Sequence, residues 1–325
     1  MRKFLLSAAA LCLLALTACE KSIKEDLVAE EEQIEAPTAR KCDADEVLQQ
    51  QMAADPSLRD KMSALEQFTN QYADKAKRGL VQQAVINIPV VVNVLYRTTA
   101  ENISLAQIQS QIDVLNRDFN ASNTDYNSFI PAAYAGIKAN VGVSFTLQTV
   151  VRKVTNKRSW STNDDMKRSS RGGINPTSPS NTLNIWVCTL GNSILGYAQF
   201  PGGALATDGV VILNTAFGTN GSARAPFNLG RTGTHEVGHW MNLRHIWGDA
   251  TCGNDQVGDT PPHNTANYGC PGQGHRSTCT GTPEELWMNY MDYTDDRCMY
   301  MFSAGQKTRM LAIFAAGGPR ASFNP

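Results

Sequence analysis

The sequence predicts an α/β fold with a mixed, twisted sheet, and three observations support this prediction. Between residues 85 and 213, β-branched strands alternate with an amphipathic helix, which is typical of a sheet covered by helices. Residues 248–300 follow with little apolar periodicity and four cysteines. Residues 1–78 combine a short apolar leader with an acidic segment. We therefore expect one large domain, residues 79–325, behind an exported N-terminal segment.

The composition excludes several classes of protein. Apolar residues make up 42% of the 325 residues and charged residues 18%, an ordinary globular balance that excludes fibrous and wholly disordered chains. The formal net charge is −1, so no basic surface indicates a nucleic-acid partner. A globular protein without nucleic-acid partners is expected.

The first 18 residues are predicted to be a signal peptide. Arg2 and Lys3 precede Phe4–Ala18, which is apolar but short for a bilayer span, and no later segment is longer. Leu16–Cys19 resembles a bacterial lipobox, which implies cleavage before Cys19 and diacylation of that residue. We therefore expect a lipid anchor at the outer membrane, on the periplasmic face or the cell surface, with later release left open. An ordinary signal peptide is the alternative.

Residues 19–78 are predicted to be a lipidated N-terminus, a tether and a pro-segment. They carry 14 acidic and 9 basic side chains, and the basic stretch Lys75–Gly79 indicates a cleavage site near Lys77–Gly79. A plain solvated tether is the alternative, and residues 20–40 fit it best. A helix is expected to begin at Asp55-Pro56, because apolar residues then recur on one face: Leu58, Met62, Leu65, Phe68 and Tyr72.

Two helices of the large domain have recognisable starts. Ser104 and Gln107 predict a capping box for a helix with an apolar face over Leu105–Phe119, and Ser303 and Gln306 predict a second one near the end. The remaining predictions are strands and one polar loop, in chain order Val85–Tyr96, Val141–Val151, loop 156–182, Leu183–Thr189 and Gly209–Leu213.

Six cysteines remain after the leader and Cys19. In an exported protein, a cluster without a CxxC pair favours two disulfides over a structural zinc site, and three pairings are possible. Cys42 and Cys188 lie apart, and they either form a third disulfide or leave Cys188 as a free buried thiol. The clustered cysteines are Cys252, Cys270, Cys279 and Cys298.

Three of the five histidines lie in the segment HEVGHWMNLRH at residues 235–245. His235 and His239 are four residues apart, so a helix presents both imidazoles on one face. His245 joins them only if the helix ends and the chain turns back, and Asn242 tolerates the left-handed conformation that such a turn needs. Three neutral nitrogens leave one open position, which predicts a catalytic zinc site.

Glu236 follows the first predicted ligand and is expected to act as the catalytic base. It can reach a zinc-bound water, take its proton and return that proton to the leaving amine once hydroxide has attacked a peptide carbonyl. The prediction is a zinc-dependent endopeptidase acting on proteins or peptides. An incidental histidine cluster on a surface helix is the alternative.

The histidine motif, continued by Ile246–Asp249, resembles that of the pappalysin family of metzincin zinc metallopeptidases, in its small secreted bacterial and archaeal branch. The resemblance extends over residues 40–316. It implies a metzincin-type zincin fold, with the sheet and the active-site helix in an upper subdomain. A loop-rich, disulfide-stapled lower subdomain would begin near residue 246, and zinc would lie in the cleft between them.

The resemblance also implies roles around the zinc. Met291 would lie beneath the metal as the family's Met-turn, and Tyr293 would help to stabilise the oxyanion. The segment that begins with Gly196, Tyr197 and Ala198 resembles the edge strand on which a substrate adds in antiparallel orientation. The implied disulfides are Cys252–Cys279 and Cys270–Cys298.

Two more segments resemble family features. Arg40-Lys41-Cys42 resembles a cysteine switch, in which the Cys42 thiolate takes the open zinc position and makes the pro-segment an inhibitor. Asp43 follows where the family usually has glycine. A calcium site is implied by a second segment, for which a polar turn is the alternative, with ligands at Asp255, Val257, Asp259 and Thr260.

Specificity is harder to predict. Some relatives prefer a basic residue after the scissile bond (the P1′ residue), and they carry an acidic residue near the position of Arg297. The positive charge of Arg297 opposes such a preference in this chain, although Asp295 and Asp296 are adjacent.

His263 and His275 lack a motif and are expected at the surface. The combined prediction is a monomeric, latent zinc endopeptidase. A surface-anchored binding protein on an inactive protease scaffold is the alternative. That alternative predicts that a zinc-ligating histidine or the catalytic base is missing, and the sequence contains all of them.

Overall fold

The computed structural model describes residues 37–81 and 85–323. The predicted signal peptide and the predicted lipid site at Cys19 lie outside these residues. The described residues all belong to one compact unit, so residues 37–78 of the predicted pro-segment pack with the large domain. No helix within the described ranges has both the length and the apolar character needed to cross a membrane.

The described chain contains five helices and seven strands as its main elements. The helices are α1 (Ala44–Ala54), α2 (Ser57–Lys77), α3 (Leu105–Phe119), α4 (Arg231–Trp240) and α5 (Ala304–Ala312). The strands are β1 (Ile86–Tyr96), β2 (Lys138–Ala139), β3 (Val143–Val154), β4 (Leu183–Cys188), β5 (Gly196–Ala198), β6 (Val210–Leu213) and β7 (Phe302–Ser303).

Five strands form one sheet in the order β3-β1-β4-β6-β5. Neighbouring strands are parallel, except that β5 runs antiparallel to β6 at the edge. Strands β4 and β6 are buried along their whole length, as their continuous apolar sequence predicts for parallel strands covered on both faces. The mixed α/β fold is thereby confirmed.

The two faces of the sheet are covered differently. Helices α3 and α4 contact each other and cover one face, where Ile185 and Val187 of β4 join the larger apolar cluster. Trp186 and Cys188 alternate to the other face. There the segment predicted as a surface loop, residues 156–182, supplies buried side chains of its own. Alternate side chains of β4 thus pack on opposite faces of the sheet, and α4 lies on the face that Ile185 and Val187 share.

The start of α3 differs from the predicted capping box. The Ser104 hydroxyl does accept a hydrogen bond from the Gln107 backbone nitrogen at 3.1 Å. The Gln107 side chain, however, turns away from the helix end and donates to the carbonyl oxygen of Phe217 at 2.8 Å. Only half of the box forms, because a buried loop carbonyl offers the amide a partner. The second box, at Ser303 and Gln306, forms completely.

The helix predicted within residues 19–78 begins at Ser57, one position after the predicted Asp55-Pro56 start, and Asp55 Oδ1 accepts from the Ser57 backbone nitrogen at 3.0 Å. Helix α2 packs against α5. Arg309 of α5 makes two bonds to Glu66 of α2, at 2.9 and 2.6 Å. Of the predicted apolar face of α2, Leu58 and Leu65 are buried, whereas Met62, Phe68 and Tyr72 are half-buried.

The lower part of the chain contains both disulfides in the pairing that the resemblance implied, Cys252–Cys279 and Cys270–Cys298. Cys42 and Cys188 are free and buried, so the third disulfide does not form. The expectation that His263 lies at the surface is wrong: His263 is fully buried, and its Nε2 accepts a hydrogen bond from the Leu286 backbone nitrogen at 3.0 Å. His275 is partly exposed, as expected.

Helix α3 offers a direct test of the core. We expect Leu115→Ala to lower the free energy of unfolding by about 2–5 kcal/mol, because Leu115 is fully buried and truncation leaves a cavity. The matched control is Leu105→Ala on the same helix, where the side chain is 60% exposed and the change should stay within about 0.5 kcal/mol. Denaturant unfolding measures both values, and equal losses would contradict the assignment of the buried face.

Candidate active site

Helix α4 and the turn after it bring three histidines together. His235 and His239 lie on one face of α4, which ends at Trp240. Asn242 then adopts a φ of +75°, and the Leu243 backbone nitrogen donates to the Gly238 carbonyl oxygen at 3.0 Å. This left-handed turn reverses the chain so that His245 faces the helix, as predicted from the spacing.

The three Nε2 atoms converge on one point. His239 Nε2 lies 3.1 Å from His235 Nε2 and 3.1 Å from His245 Nε2. Zinc–nitrogen bonds of about 2.0–2.1 Å at tetrahedral angles would hold such atoms about 3.3 Å apart, so the donor set fits zinc. The Cys42 thiol completes the group, and all four ligand atoms lie within 4.8 Å of one another.

Each ring is oriented by a hydrogen bond at its other nitrogen. The Nδ1 atoms of His235 and His239 lie 2.7 Å from Tyr290 O and 2.8 Å from Leu243 O. Burial, and then repulsion from the neighbouring rings, holds the pKa of His235 and His239 well below the usual histidine value. These two imidazoles are therefore neutral, with the proton on Nδ1 and the lone pair of Nε2 free for a metal.

The third ring is oriented by a carboxylate instead of a carbonyl. His245 Nδ1 lies 2.5 Å from Asp249 Oδ1. Trp247 stacks on the same imidazole, with ring centroids 4.4 Å apart and planes inclined by 9°. A histidine outside the regular helix thus receives its orientation from two side chains of the following loop.

Glu236 lies beside the histidines and is fully buried. Burial raises the pKa of its carboxyl to about 8. Its Oε2 accepts a hydrogen bond from the Cys42 thiol at 3.3 Å, while Oε1 has no partner among the residues that the structure describes. A Cβ atom on Gly196 would lie 2.8 Å from Glu236 Cγ, so only glycine lets the edge strand approach this carboxyl.

Tyr293 contacts Cys42, and Met291 lies against the helix that carries His235 and His239. The Tyr293 hydroxyl accepts from the Cys42 backbone nitrogen at 3.1 Å and donates to the Cys42 carbonyl oxygen at 2.7 Å. Met291 lies under α4, where a Cβ atom added to Gly238 would be 2.5 Å from its Sδ. Gly238 is therefore required for the methionine to approach the helix that carries the histidines.

Residues 41–43 of the predicted pro-segment lie beside the edge strand in parallel orientation. Cys42 pairs with Gly196 in a parallel bridge, the Leu195 backbone nitrogen donates to Lys41 O at 2.9 Å, and the Asp43 nitrogen donates to Gly196 O at 3.3 Å. The Tyr197 side chain points away into the core. The backbone of β5 is thus the part available for pairing.

Arg40 fills a buried pocket next to the histidines. Its Nη2 lies 2.6 Å from Asp296 Oδ1, its Nη1 donates to Thr232 Oγ1 at 3.0 Å, and its guanidinium lies over the Phe227 ring at 5.0 Å. Arg297, which the sequence suggested as a residue that affects substrate specificity, lies outside the pocket. Its side chain is 72% exposed and its Nε lies 3.7 Å from Asp295. The two adjacent aspartates were the only local signal for Asp296.

The residues proposed for calcium have hydrogen-bond partners within the protein. The Asp255 carboxylate accepts from the Val257 backbone nitrogen at 3.1 Å and from the Thr260 hydroxyl at 2.8 Å. Burial raises the pKa of Asp255 to about 6. The Asp259 carboxylate accepts from Ser303 Oγ at 2.6 Å, beside the start of α5. Both aspartates therefore hold this loop together in the structure as described.

Comparisons with known proteins agree with this geometry. The peptidase M43 family, described as pregnancy-associated plasma protein-A, matches residues 182–315. An extracellular metalloprotease of Verticillium alfalfae is 34% identical over 240 residues, which cover 68% of this chain and 76% of that protein. Extracellular metalloprotease 1 of Coccidioides posadasii is 33% identical over 245 residues, or 71% of this chain and 78% of that one.

Solved structures extend the similarity to the pro-segment. Mature mirolysin of Tannerella forsythia in complex with a cleaved peptide is 44% identical, with a TM-score of 0.71 over 75% of this chain and 97% of that one. A promirolysin mutant of the same organism is 40% identical, with a TM-score of 0.79 over 88% and 97%. The fold and the site define a metalloendopeptidase with the metzincin fold. More narrowly, the chain belongs to the pappalysin family.

The contact between α4 and Met291 predicts that a glycine-to-alanine substitution within this helix lowers stability, which is the opposite of the usual effect. Replacing a helix-interior glycine by alanine ordinarily stabilises a protein by about 0.5–1 kcal/mol. We expect Gly238→Ala to lower the unfolding midpoint and the zinc content instead, because the new methyl group meets Met291 Sδ. The same change in a Met291→Ala background should cost much less. A stabilised Gly238→Ala single variant in calorimetry would contradict the packing.

Proposed function

We propose that this chain is an exported, zinc-dependent endopeptidase, made as a latent zymogen that its own Cys42 keeps inactive. One observation carries the proposal: the Cys42 thiol lies with three histidine Nε2 atoms in a group no wider than 4.8 Å, in contact with the Glu236 carboxyl. Three histidine nitrogens with one further position are typical of a catalytic zinc site. His235, His239 and His245 would hold the metal, and Cys42 would be the fourth ligand of the latent form.

Glu236 and Tyr293 would perform the proton transfer and the charge stabilisation. When bound, zinc supplies a Lewis acid that polarises the peptide carbonyl and acidifies water. Glu236 takes a proton from the attacking water and hands it to the leaving amine. Tyr293 donates its hydroxyl hydrogen to the substrate oxygen once it no longer bonds Cys42.

The direction of residues 41–43 would protect this part of the pro-segment from cleavage in the site. A substrate is expected to pair with β5 in antiparallel orientation, while residues 41–43 pair in parallel orientation. The peptide bonds of residues 41–43 would therefore run opposite to those of a substrate. Arg40, which precedes Cys42 in sequence, then lies on the side that residues after the scissile bond would occupy.

This reversal supports a preference for arginine as P1′ residue. Arg40 occupies its pocket through one short ion pair to Asp296, a hydroxyl and an aromatic face. That combination suits a planar guanidinium better than the ammonium group of lysine. The exposed basic stretch at the end of α2 contains Arg78, so the Lys77–Arg78 bond is our candidate for self-cleavage.

The remaining features of the prediction belong to the same proposal. Relatives named extracellular metalloproteases support export, and the lipobox-like sequence before Cys19 supports a lipid anchor. We propose a monomer whose partners are peptide substrates and its own pro-segment, and a calcium ion bound near Asp255 and Asp259. Glu236 and all three histidines are present, which disfavours the alternative of an inactive binding scaffold.

Self-processing tests the base and the cleavage site together. We expect residues 20–325, incubated with zinc and calcium, to lose the segment that precedes Arg78, as intact mass spectrometry would show. Glu236→Ala should stay whole because it lacks the base. Arg78→Ala should lose this cut because no arginine enters the pocket, while Lys77→Ala, the matched control, should still be cut. If the parent chain stays whole as well, self-activation is wrong.

Substrate preference tests the role of the buried aspartate. We expect Asp296→Asn to lower kcat/KM by about 100-fold for peptides with arginine after the scissile bond, because the guanidinium loses its ion pair in a buried pocket. Leucine peptides should change little. Arg297→Ala, at the exposed neighbouring position, is the matched control and should leave both rates within about twofold. A larger effect of Arg297→Ala than of Asp296→Asn on cleavage of the arginine peptides would reverse this account.

A further inference from the structure

Below the histidines, two buried carboxylates share one amide group. The Asn267 Nδ2 atom donates to Glu285 Oε2 at 2.7 Å and to Asp292 Oδ2 at 2.9 Å. The Asn267 backbone nitrogen also donates to Asp292 Oδ1 at 2.8 Å. All three residues are buried. One asparagine therefore joins two acidic groups that belong to different parts of the lower subdomain.

His263 supplies a further donor to this cluster. Its Nε2 accepts a hydrogen bond from the Leu286 nitrogen at 3.0 Å, which places the ring hydrogen on Nδ1. That Nδ1 lies 3.4 Å from Asp292 Oδ2 and 3.7 Å from Glu285 Oε2. Residues 263–267 thus supply donors to both buried carboxylates, and His275 lies 3.4 Å from Glu285 on another side, so the loop and the two acids are fixed together.

The cluster is continuous with the loop that carries Tyr293. Asp292 Oδ1, which holds the Asn267 nitrogen, also accepts from the Tyr293 backbone nitrogen at 2.7 Å. A further bond joins the same two segments two residues after Asn267 and Tyr293, where the Asp295 backbone nitrogen donates to the Gly269 carbonyl oxygen at 2.9 Å. The Tyr268 ring lies 6.0 Å from the Tyr293 ring. The Asn267 loop is therefore the lateral support of Tyr293.

This support matters most after the pro-segment leaves. In the latent chain the Tyr293 hydroxyl is held by both backbone groups of Cys42. The ring also contacts Trp247, His245 and Tyr268, and its backbone nitrogen donates to Asp292; none of these four residues belongs to the pro-segment, so we expect these contacts to remain when it leaves. The position of the hydroxyl then depends on how firmly Asp292 is held.

We propose that Asn267 is a positioning residue that holds Asp292 and thereby aims the Tyr293 hydroxyl at the reacting carbonyl. It touches neither metal ligands nor substrate in this arrangement and acts only through Tyr293. The proposal rests on the proposed peptidase function. A misplacement of the hydroxyl by about 1 Å is enough to slow the chemical step strongly. The backbone pairing of a substrate would be made on β5, which lies outside this loop.

The test is a double-mutant cycle on kcat, measured with the processed enzyme and an arginine peptide. We expect Asn267→Ala to lower kcat by at least about tenfold with KM within about twofold. In a Tyr293→Phe background the same change should have no further effect, because the group that it positions is absent. Asn267→Ser, which keeps one donor, should lie between the parent and the alanine variant.

The matched control is Asn264→Ala in the same loop. Its Oδ1 accepts from the Thr278 nitrogen at 2.9 Å and does not contact Asp292, so kcat should stay within about twofold of the parent. All variants are compared at equal zinc content. Should Asn267→Ala fail to fold, the serine variant gives the same cycle.

An equal loss of kcat from the Asn267 change in the parent enzyme and in the Tyr293→Phe variant would overturn the proposal, and so would an effect on KM alone. An unchanged kcat in the Tyr293→Phe variant itself would overturn it as well. None of these results touches the peptidase function, which fails only if the parent enzyme itself cleaves nothing.

Discussion

The reversal of the chain at Asn242 is the feature on which the rest of the site depends. Without a left-handed residue there, the chain after α4 would not bring His245 back to His235 and His239. The turn is held from outside: Arg309 Nε donates to the Asn242 carbonyl oxygen at 2.7 Å. Asparagine accepts this backbone conformation at low cost because its side chain tolerates a positive φ. An eleven-residue segment can therefore supply all three proposed zinc ligands only because the turn at Asn242 forms and Arg309 holds it in place.

The predicted pro-segment contacts the large domain through ion pairs at two places near this turn and the histidines. Arg40 and Cys42 enter the cleft, where Arg40 forms a buried ion pair with Asp296. Farther along, Glu66 bonds Arg309, the residue that also anchors the Asn242 turn. A buried charge left without its partner is costly, so both contacts favour the latent arrangement over partial withdrawal. Latency in this proposal is thus a property of the whole pro-segment, not of the thiol alone.

The sequence predicted those features that follow from local geometry. The pairing of His235 with His239 follows from helical spacing. Other features depend on partners that spacing does not reveal. Asp296 and Arg297 are neighbours in one short turn, and nothing local determines which side chain enters the pocket. His263 is buried because Glu285 and Asp292, distant in sequence, surround it, so its lack of a motif gave the wrong prediction of a surface residue.

The most direct test of the account is zinc K-edge X-ray absorption on the latent Glu236→Ala chain, residues 20–325, before and after removal of the pro-segment by an added protease. We expect three nitrogen ligands at about 2.0–2.1 Å and one sulfur at about 2.3 Å in the latent chain. The sulfur contribution should disappear on processing and should be absent from a Cys42→Ala variant. A latent chain whose zinc has only nitrogen and oxygen ligands would contradict the cysteine-switch arrangement.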